Sequence, residues 1–517
     1  MLDTNQSHWD AIVIGSGMGG MSAAAALSKV GHKVLLLEQY STLGGLTHSF
    51  SRDGFSWDVG IHYLGCVAPD DRERGMINWL SHTPMDFEPM GAVFDNLHIA
   101  DAPPLALSRP FEAQERDLKD RFPDEAEAIE EWIEALREGR ETMYKVAPTR
   151  AMPEFVGNVL DWWNSRAIDK WCARTIQEVI DSITQNPDLA AAFAAQWGDH
   201  GGRPHKASFA MHALIYGSYL KSGAWYPVGG GKSFAEHLLP TITQAGGEAR
   251  AGVRVEELLF EDDKVVGVRT SDGEEIRSDI VISNIGARET VNHLLPADCG
   301  HQDWIGEIRA LPHSISHFTL FLGFEGDVEE AGATRSNHWF YPTGEVDVVW
   351  DTAPEGDPPM FFVSFASLKD PEHDPGPKQR YSGEMVSWTD WKTVARWANL
   401  PSGARGEDYK AFKQQVEDKM FAQFKKSFPE LAELVVFREL ATPLATTAIT
   451  GHHKGGFYGL DVTPERVVSN ALNAKTPIDG LYLSGQDVVS PGIQGALWSG
   501  VLAAASVDPK VFKQVRG

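Results

Sequence analysis

Cationic residues are in short supply in this chain. Lys and Arg number 46 against 72 Asp and Glu over 517 residues, a formal charge of −26. Such a surface repels phosphate backbones, which sets nucleic acid aside as a partner. It also gives no electrostatic hold on anionic lipid, so any peripheral membrane contact has to be apolar. Cysteine is scarcer still, with only Cys66, Cys172 and Cys299. They are far apart, odd in number and free of any CxxC, so no redox dithiol, zinc ribbon or other metal site is expected. Three free thiols fit a reducing cytoplasm. The opening MLDTNQSHWD has neither a basic region nor an apolar core, and no signal peptide is expected there. Long apolar runs are missing too. The most apolar stretch after the first motif, Ala207 to Leu220, is interrupted by His212 and Gly217 and is too short to span a bilayer.

What is present begins at Asp10. DAIVI reads as a short buried strand, followed by GSGMGG with Gly15, Gly17 and Gly20 in GxGxxG spacing. An Ala-rich helix, MSAAAALSKV, ends at Gly31, and a second strand, Lys33 to Leu37, ends at the acid Glu38. Strand, glycines, helix, strand and acid fall in the register of a dinucleotide-binding βαβ unit. Gly15 permits the tight turn, Gly17 the close approach of a pyrophosphate, and Gly20 the packing of helix on strand. The helix N-terminus offers N–H groups and a positive dipole end to phosphate. Glu38 accepts from ribose hydroxyls and disfavours a 2′-phosphate.

Further glycine motifs follow. QYSTLGGLTHSF carries the doublet Gly44–Gly45, and GFSWDVGIHYLG carries Asp58, Gly60 and His62. A simple NAD site has no need of that doublet. Trp225 to Gly231 reads WYPVGGG, without the strand–helix–acid register of a second dinucleotide site. A helix is expected over Lys232 to Ala245, then strands with turns at Asp262–Asp263 and Asp272–Gly273. Near the end, the apolar Leu481 to Leu483 leads to Gly485 and Asp487. Gly492, Gln494 and Gly495 then open a small-residue helix whose N-terminal N–H groups are available to an electron-rich group.

These motifs resemble the phytoene desaturase, carotenoid isomerase and retinol saturase group within the flavin amine oxidase superfamily. His62–Tyr63 in GIHYLG and SFASLKDPEHDPG at 364–376 look most like its saturase and isomerase branch. The resemblance implies FAD. Val253 to Val255 would lie against the adenine, Gly60 near the isoalloxazine, Ile280 to Asn284 as a strand ending beside the flavin, and Asp487 at the ribityl or pyrophosphate region. Where many amine oxidases have a basic residue after the doublet, this chain has Leu46. No cysteine lies near the C-terminal motif, so the flavin is expected to be non-covalent.

The fold class expected is therefore α/β, a discontinuous Rossmann-like FAD-binding domain with an inserted α+β substrate domain. Residues 1–75, 222–300 and 465–517 form the first, and 76–221 and 301–464 the second. In the insertion, helices are expected over Asp117–Val146, Asp181–Trp197 and Glu407–Phe428, and strands over Phe318–Phe324 and Met360–Ser367. Trp162, Trp163, Trp171, Trp197 and Trp225 read first as core, though a long apolar substrate would use the same residues. The resemblance implies hydride chemistry at C=C bonds of a polyene, by saturation, isomerisation or desaturation, with an unidentified electron partner. Catalytic candidates are His62 and Tyr63, then His200, with His452, His453 and Lys454 read as a solvated loop. Oxidation of an amine is the rival enzyme class, and a flavin-bearing scaffold the non-enzymatic one.

Overall fold

The computed structural model describes residues 9–152, 154–351 and 354–515. Residues 1–8, which carry most of the segment read for a signal peptide, lie outside them. The strands Ala11–Ile14 and Val34–Glu38 are buried at every residue, as continuous apolar runs covered on both faces are. They occupy the middle of a five-stranded parallel sheet. Its order runs Leu481–Leu483, Val281–Ser283, Ala11–Ile14, Val34–Glu38, Glu248–Ala251. The two ends of the chain thus meet in one sheet.

Helix Met18–Lys29 starts three residues before the expected Met21, because the Gly17 carbonyl already accepts from the Met21 N–H at 3.0 Å. It packs against helix Gly492–Val507 through small residues. A Cβ on Gly500 would run into the Gly19 carbonyl oxygen. Helix Ser233–Gln244 lies against it too. A three-stranded antiparallel sheet, Val255–Glu261, Lys264–Thr270 and Glu275–Arg277, turns at Asp262 and Gly273, both with positive φ. Its first strand begins at Val255; Val253 instead donates its N–H to the Glu38 carbonyl at 2.8 Å.

A seven-stranded mixed sheet stands apart from these. Its order is Val435–Ala441, Ser316–Glu325, Arg380–Thr389, Phe361–Ser364, Asn337–Tyr341, Val93–Ile99, Leu105–Ser108. Only Asn337–Tyr341 and Val93–Ile99 pair in parallel. The strand expected to reach Ser367 stops at Ser364, and Ala366–Lys369 forms a helical turn that buries Lys369. The helix expected over Asp117–Val146 is two, Phe111–Arg121 and Ala126–Val146, parted by a 3₁₀ turn at Pro123. Asp181–Trp197 is likewise interrupted. Asn186 accepts from the N–H groups of Asp188 and Leu189 and caps a new helix, Pro187–Ala194. Gly406–Ser427 matches the last expected helix. Trp171 and Trp197 are core residues and Trp225 is half-buried, whereas Trp162 and Trp163 are exposed. Among the described residues no helix is long and apolar enough to cross a membrane.

Candidate active site

One cavity of about 560 Å³ collects residues from GSGMGG, from the doublet, from GIHYLG and from the C-terminal motif, whereas WYPVGGG lies outside its wall. At one end its wall is Glu38, Gln39, Tyr40 and the Val253–Val255 backbone. Glu38 is buried and held. Its Oε2 accepts from the Ser16 N–H at 2.9 Å and the Ser16 hydroxyl at 2.7 Å, and its Oε1 from the Tyr40 N–H at 2.9 Å. The Ser16 hydroxyl in turn accepts from the Gly44 N–H at 2.9 Å, tying the doublet to the first loop.

The middle of the cavity is a glycine cradle. Gly15 has φ +93°, and Gly485 has φ +100°. A Cβ on Gly45 would stand 2.7 Å from the Gly17 Cα, and one on Gly19 2.8 Å from the Gly485 Cα. Gly20 faces away from the cavity, where a Cβ would strike the Gly15 carbonyl, and Gly495 likewise meets the Ser490 carbonyl. Gly44 is buried in its turn at φ +115°. Side chains at these places would fill the channel or push its walls apart.

Two helix N-termini open on this cradle, those of Met18–Lys29 and Gly492–Val507. Neither carries a side-chain cap or an acid in its first turn. Unclaimed N–H groups and two positive dipole ends on one cavity suit an anionic group. The Asn284 Oδ1, buried in the same wall between Gly19 and Gly485, has no partner and can accept from a hydroxyl. A dinucleotide with a pyrophosphate and a hydroxylated chain fits these donors and acceptors. Asp487, expected at the ribityl or pyrophosphate region, lines the cavity with both carboxylate oxygens engaged by backbone N–H groups. Its Oδ1 accepts from the Leu460 N–H and its Oδ2 from the Ala287 N–H, both at 2.8 Å, so it clamps three segments at the cavity wall. Gln494 donates to the Gly65 carbonyl, and Gly60 lies against Phe457 and the Leu46 carbonyl.

The far end is apolar and aromatic, with Met143, Ala147, Pro148, Leu214, Ile215 and Tyr219. His62 and Tyr63 line the same cavity, and the Tyr63 ring stacks on Tyr219 with centroids 4.6 Å apart. His62 Nδ1 lies 3.0 Å from Glu384 Oε1, with the Glu384 side chain 1% exposed. Lys369 Nζ donates to the His62 carbonyl at 2.9 Å, to Ser364 Oγ at 2.7 Å and to Asn337 Oδ1. Burial pulls the Lys369 ammonium down to about 7, against the opposing pull of Asp95, Glu384 and Asp58. The Tyr63 hydroxyl sits between two carboxylates, 2.8 Å from Asp95 Oδ2 and 2.8 Å from Asp199 Oδ2. Burial and those acids push its phenol far up, so Tyr63 is a neutral hydroxyl at any working pH.

The remaining candidates fall elsewhere. His200 is buried outside the cavity wall, 3.1 Å from His212 Nδ1, and held neutral by burial. The run at 452–454 is not a plain solvated loop. His452 lines the cavity, its Nδ1 3.1 Å from the Gly456 carbonyl; His453 packs on His313; only Lys454 is exposed. Sequence reasoning missed Asp95, Asp199, Glu384 and Lys369. The available signal was an acid inside an otherwise strand-like run, as in VFDNLHI and RYSGEMVSWT.

A sequence profile described as flavin containing amine oxidoreductase matches residues 18–389. The chain is 31% identical to an all-trans-retinol 13,14-reductase of Danio rerio, over 96% of this chain and 85% of that one. It is 25% identical to a chloroplastic prolycopene isomerase of Daucus carota, over 97% and 80%. Among solved structures, a putrescine oxidase bound to putrescine matches with TM-score 0.63 at 14% identity, over 97% of this chain and 99% of that one. At that identity it speaks for the fold alone.

Proposed function

Because the chain belongs to the flavin containing amine oxidoreductase family, we propose that it is an FAD-dependent oxidoreductase of C=C bonds in a long apolar polyene. One observation carries the reading. A single cavity is lined by the glycine cradle, by apolar and aromatic side chains, and by His62 and Tyr63. The likeness to a retinol reductase and a prolycopene isomerase, over 96% and 97% of this chain, supports the substrate class.

In this reading Gly15, Gly17, Gly485 and the two helix N-termini hold the pyrophosphate and the flavin edge. Glu38 and Val253–Val255 hold the adenosine end. A bound flavin supplies hydride transfer at its N5. The chain's part is placement, exclusion of water and proton control. Leu214, Ile215 and Tyr219 exclude water from the polyene. Glu384 orients His62, and the buried Lys369 fixes the His62 backbone. No cysteine lines the cavity among the described residues, which supports a non-covalent flavin.

Peripheral contact with a lipid surface belongs to the same reading. Helix Glu154–Trp163 exposes Phe155 (79%), Trp162 (73%) and Trp163 (75%), with Val156 and Val159 beside them. It packs on the turn Ala147–Ala151, whose first two residues line the apolar end of the cavity. Aromatic side chains on a short helix beside a store of apolar substrate fit a zwitterionic bilayer surface, since the acidic chain gains nothing from anionic lipid. The free thiols support a reducing, cytoplasmic setting.

The deciding experiment is an anaerobic titration with retinoids and carotenoids, followed by flavin and polyene absorbance. Reduced flavin that regains its oxidised absorbance while the polyene band moves to shorter wavelength identifies a saturase. A polyene that isomerises while flavin stays reduced identifies an isomerase. Bleaching of oxidised flavin with a red-shifted polyene identifies a desaturase. Amine turnover with peroxide release and no polyene response overturns the reading.

A further inference from the structure

The hydrogen bonds around Tyr63 do not close with both neighbouring acids ionised. Tyr63 has one proton to donate. Its oxygen lies 2.8 Å from Asp95 Oδ2 and 3.0 and 2.8 Å from the two Asp199 oxygens. Two carboxylates cannot both accept a single proton, so one acid must carry its own.

The two acids are unequally served. Asp95 Oδ1 accepts from Asn337 Nδ2 at 2.8 Å, an orientation set by Lys369, which donates to the Asn337 oxygen. Asp95 Oδ2 accepts from Gln196 Nε2 at 2.7 Å. For Asp199 the described hydrogen bonds go to Tyr63. The titratable groups that its charge bears on, Asp95, Tyr63, Tyr219, Tyr341 and Tyr458, are all acids. Ionised Asp95 and neutral Asp199 satisfy every contact: Asp199 donates to Tyr63, and Tyr63 donates to Asp95. Burial and the Asp95 charge both push the Asp199 carboxyl well above its ordinary range. Asp199 is half-buried and lines the cavity beside His62 and Tyr219, while Asp95 is fully buried behind it.

We propose that Asp199 is kept as a neutral carboxylic acid facing the substrate and is the proton donor of the reaction, a role that rests on the polyene reading above. In saturation, a bound reduced flavin would supply a hydride, with its two electrons, to one alkene carbon. The π pair of that bond forms the new C–H bond at the other carbon with the Asp199 proton. Asp199 is left as a carboxylate and recovers its proton from water once product has gone. In the assay dithionite is the source of electrons.

The test uses the flavin-loaded protein and Asp199→Asn, with Tyr63→Phe as a second variant. Infrared spectroscopy of the resting oxidised protein in H₂O and D₂O reads the protonated carboxyl. The wild type is expected to show its C=O band, Asp199→Asn to lose it, and Tyr63→Phe to keep it at a shifted frequency. In anaerobic single turnovers, Asp199→Asn is expected to slow polyene-driven reoxidation of reduced flavin about 100-fold or more, the usual share of a general acid. Its flavin spectrum stays that of the wild type. A band that persists in Asp199→Asn, or that disappears in Asp95→Asn instead, overturns the proposal. So does reoxidation by Asp199→Asn within twofold of the wild type. A wild type whose reduced flavin no polyene reoxidises overturns the substrate reading. The carboxyl band then decides alone where the proton sits.

Discussion

At the scale of single residues, space and charge both leave little latitude. A Cβ on Gly20 collides with the Gly15 carbonyl, which is backbone and cannot step aside. Gly20→Ala is therefore expected to cost about 1–3 kcal/mol in stability and to purify with substoichiometric flavin, read from a thermal melt and the visible spectrum. His200 and His212 show the charge side. The Gly202 N–H donates to His200 Nδ1, so His200 Nε2 carries the proton that it donates to His212 Nδ1. Both rings are neutral, and burial lowers His212 from 6.5 to about 4. The unfolded chain takes up a proton near pH 6.5, whereas the native ring does so only near pH 4. This stability is whole above pH 6.5 and falls as pH drops toward 4, by about 3 kcal/mol. His212→Asn keeps an acceptor for His200 and cannot charge. Its Tm should drop less than that of the wild type between pH 6.5 and 4; an equal drop would remove His212 from the acid sensitivity.

At the scale of elements, helix ends and helix faces carry the function. Met18–Lys29 and Gly492–Val507 lie side by side because glycine and alanine let their backbones approach, and this brings both N-termini to one cavity. Helix Glu154–Trp163 does the opposite, turning aromatic side chains outward. Trp162→Gln with Trp163→Gln should leave the flavin spectrum and Tm unchanged and abolish co-flotation with phosphatidylcholine vesicles. If the wild type does not float, or instead forms a concentration-dependent dimer that this double variant disperses, the face meets another copy of the chain and the lipid reading fails.

At the scale of the whole molecule, the sheet that underlies the cradle is assembled from strands near both ends of the chain, with Asp487 clamping Leu460 and Ala287 between them. A ligand held by all of these segments stabilises the assembly as a unit. Removing the flavin is expected to lower Tm, and restoring it at 100 times its Kd to recover about 2.7 kcal/mol; an unchanged Tm would argue against a preformed cradle. The βαβ unit, the glycines and the C-terminal strand–helix were legible in the amino-acid sequence because each is a local matter. A GxGxxG turn demands its glycines whatever surrounds it, and an apolar run with an acid at its end needs no distant partner to be recognised. The placement of His62 on Glu384, of Lys369 behind the His62 carbonyl, and of Tyr63 between Asp95 and Asp199 was decided only by the tertiary structure. Those pairs join residues 32 to 322 positions apart, and no local periodicity records which buried acid will face which donor. The sequence by itself pointed to a dinucleotide site; tertiary packing decided which buried acid faces which donor, because charge states in a protein interior follow burial and contact, which exist only once the chain has folded.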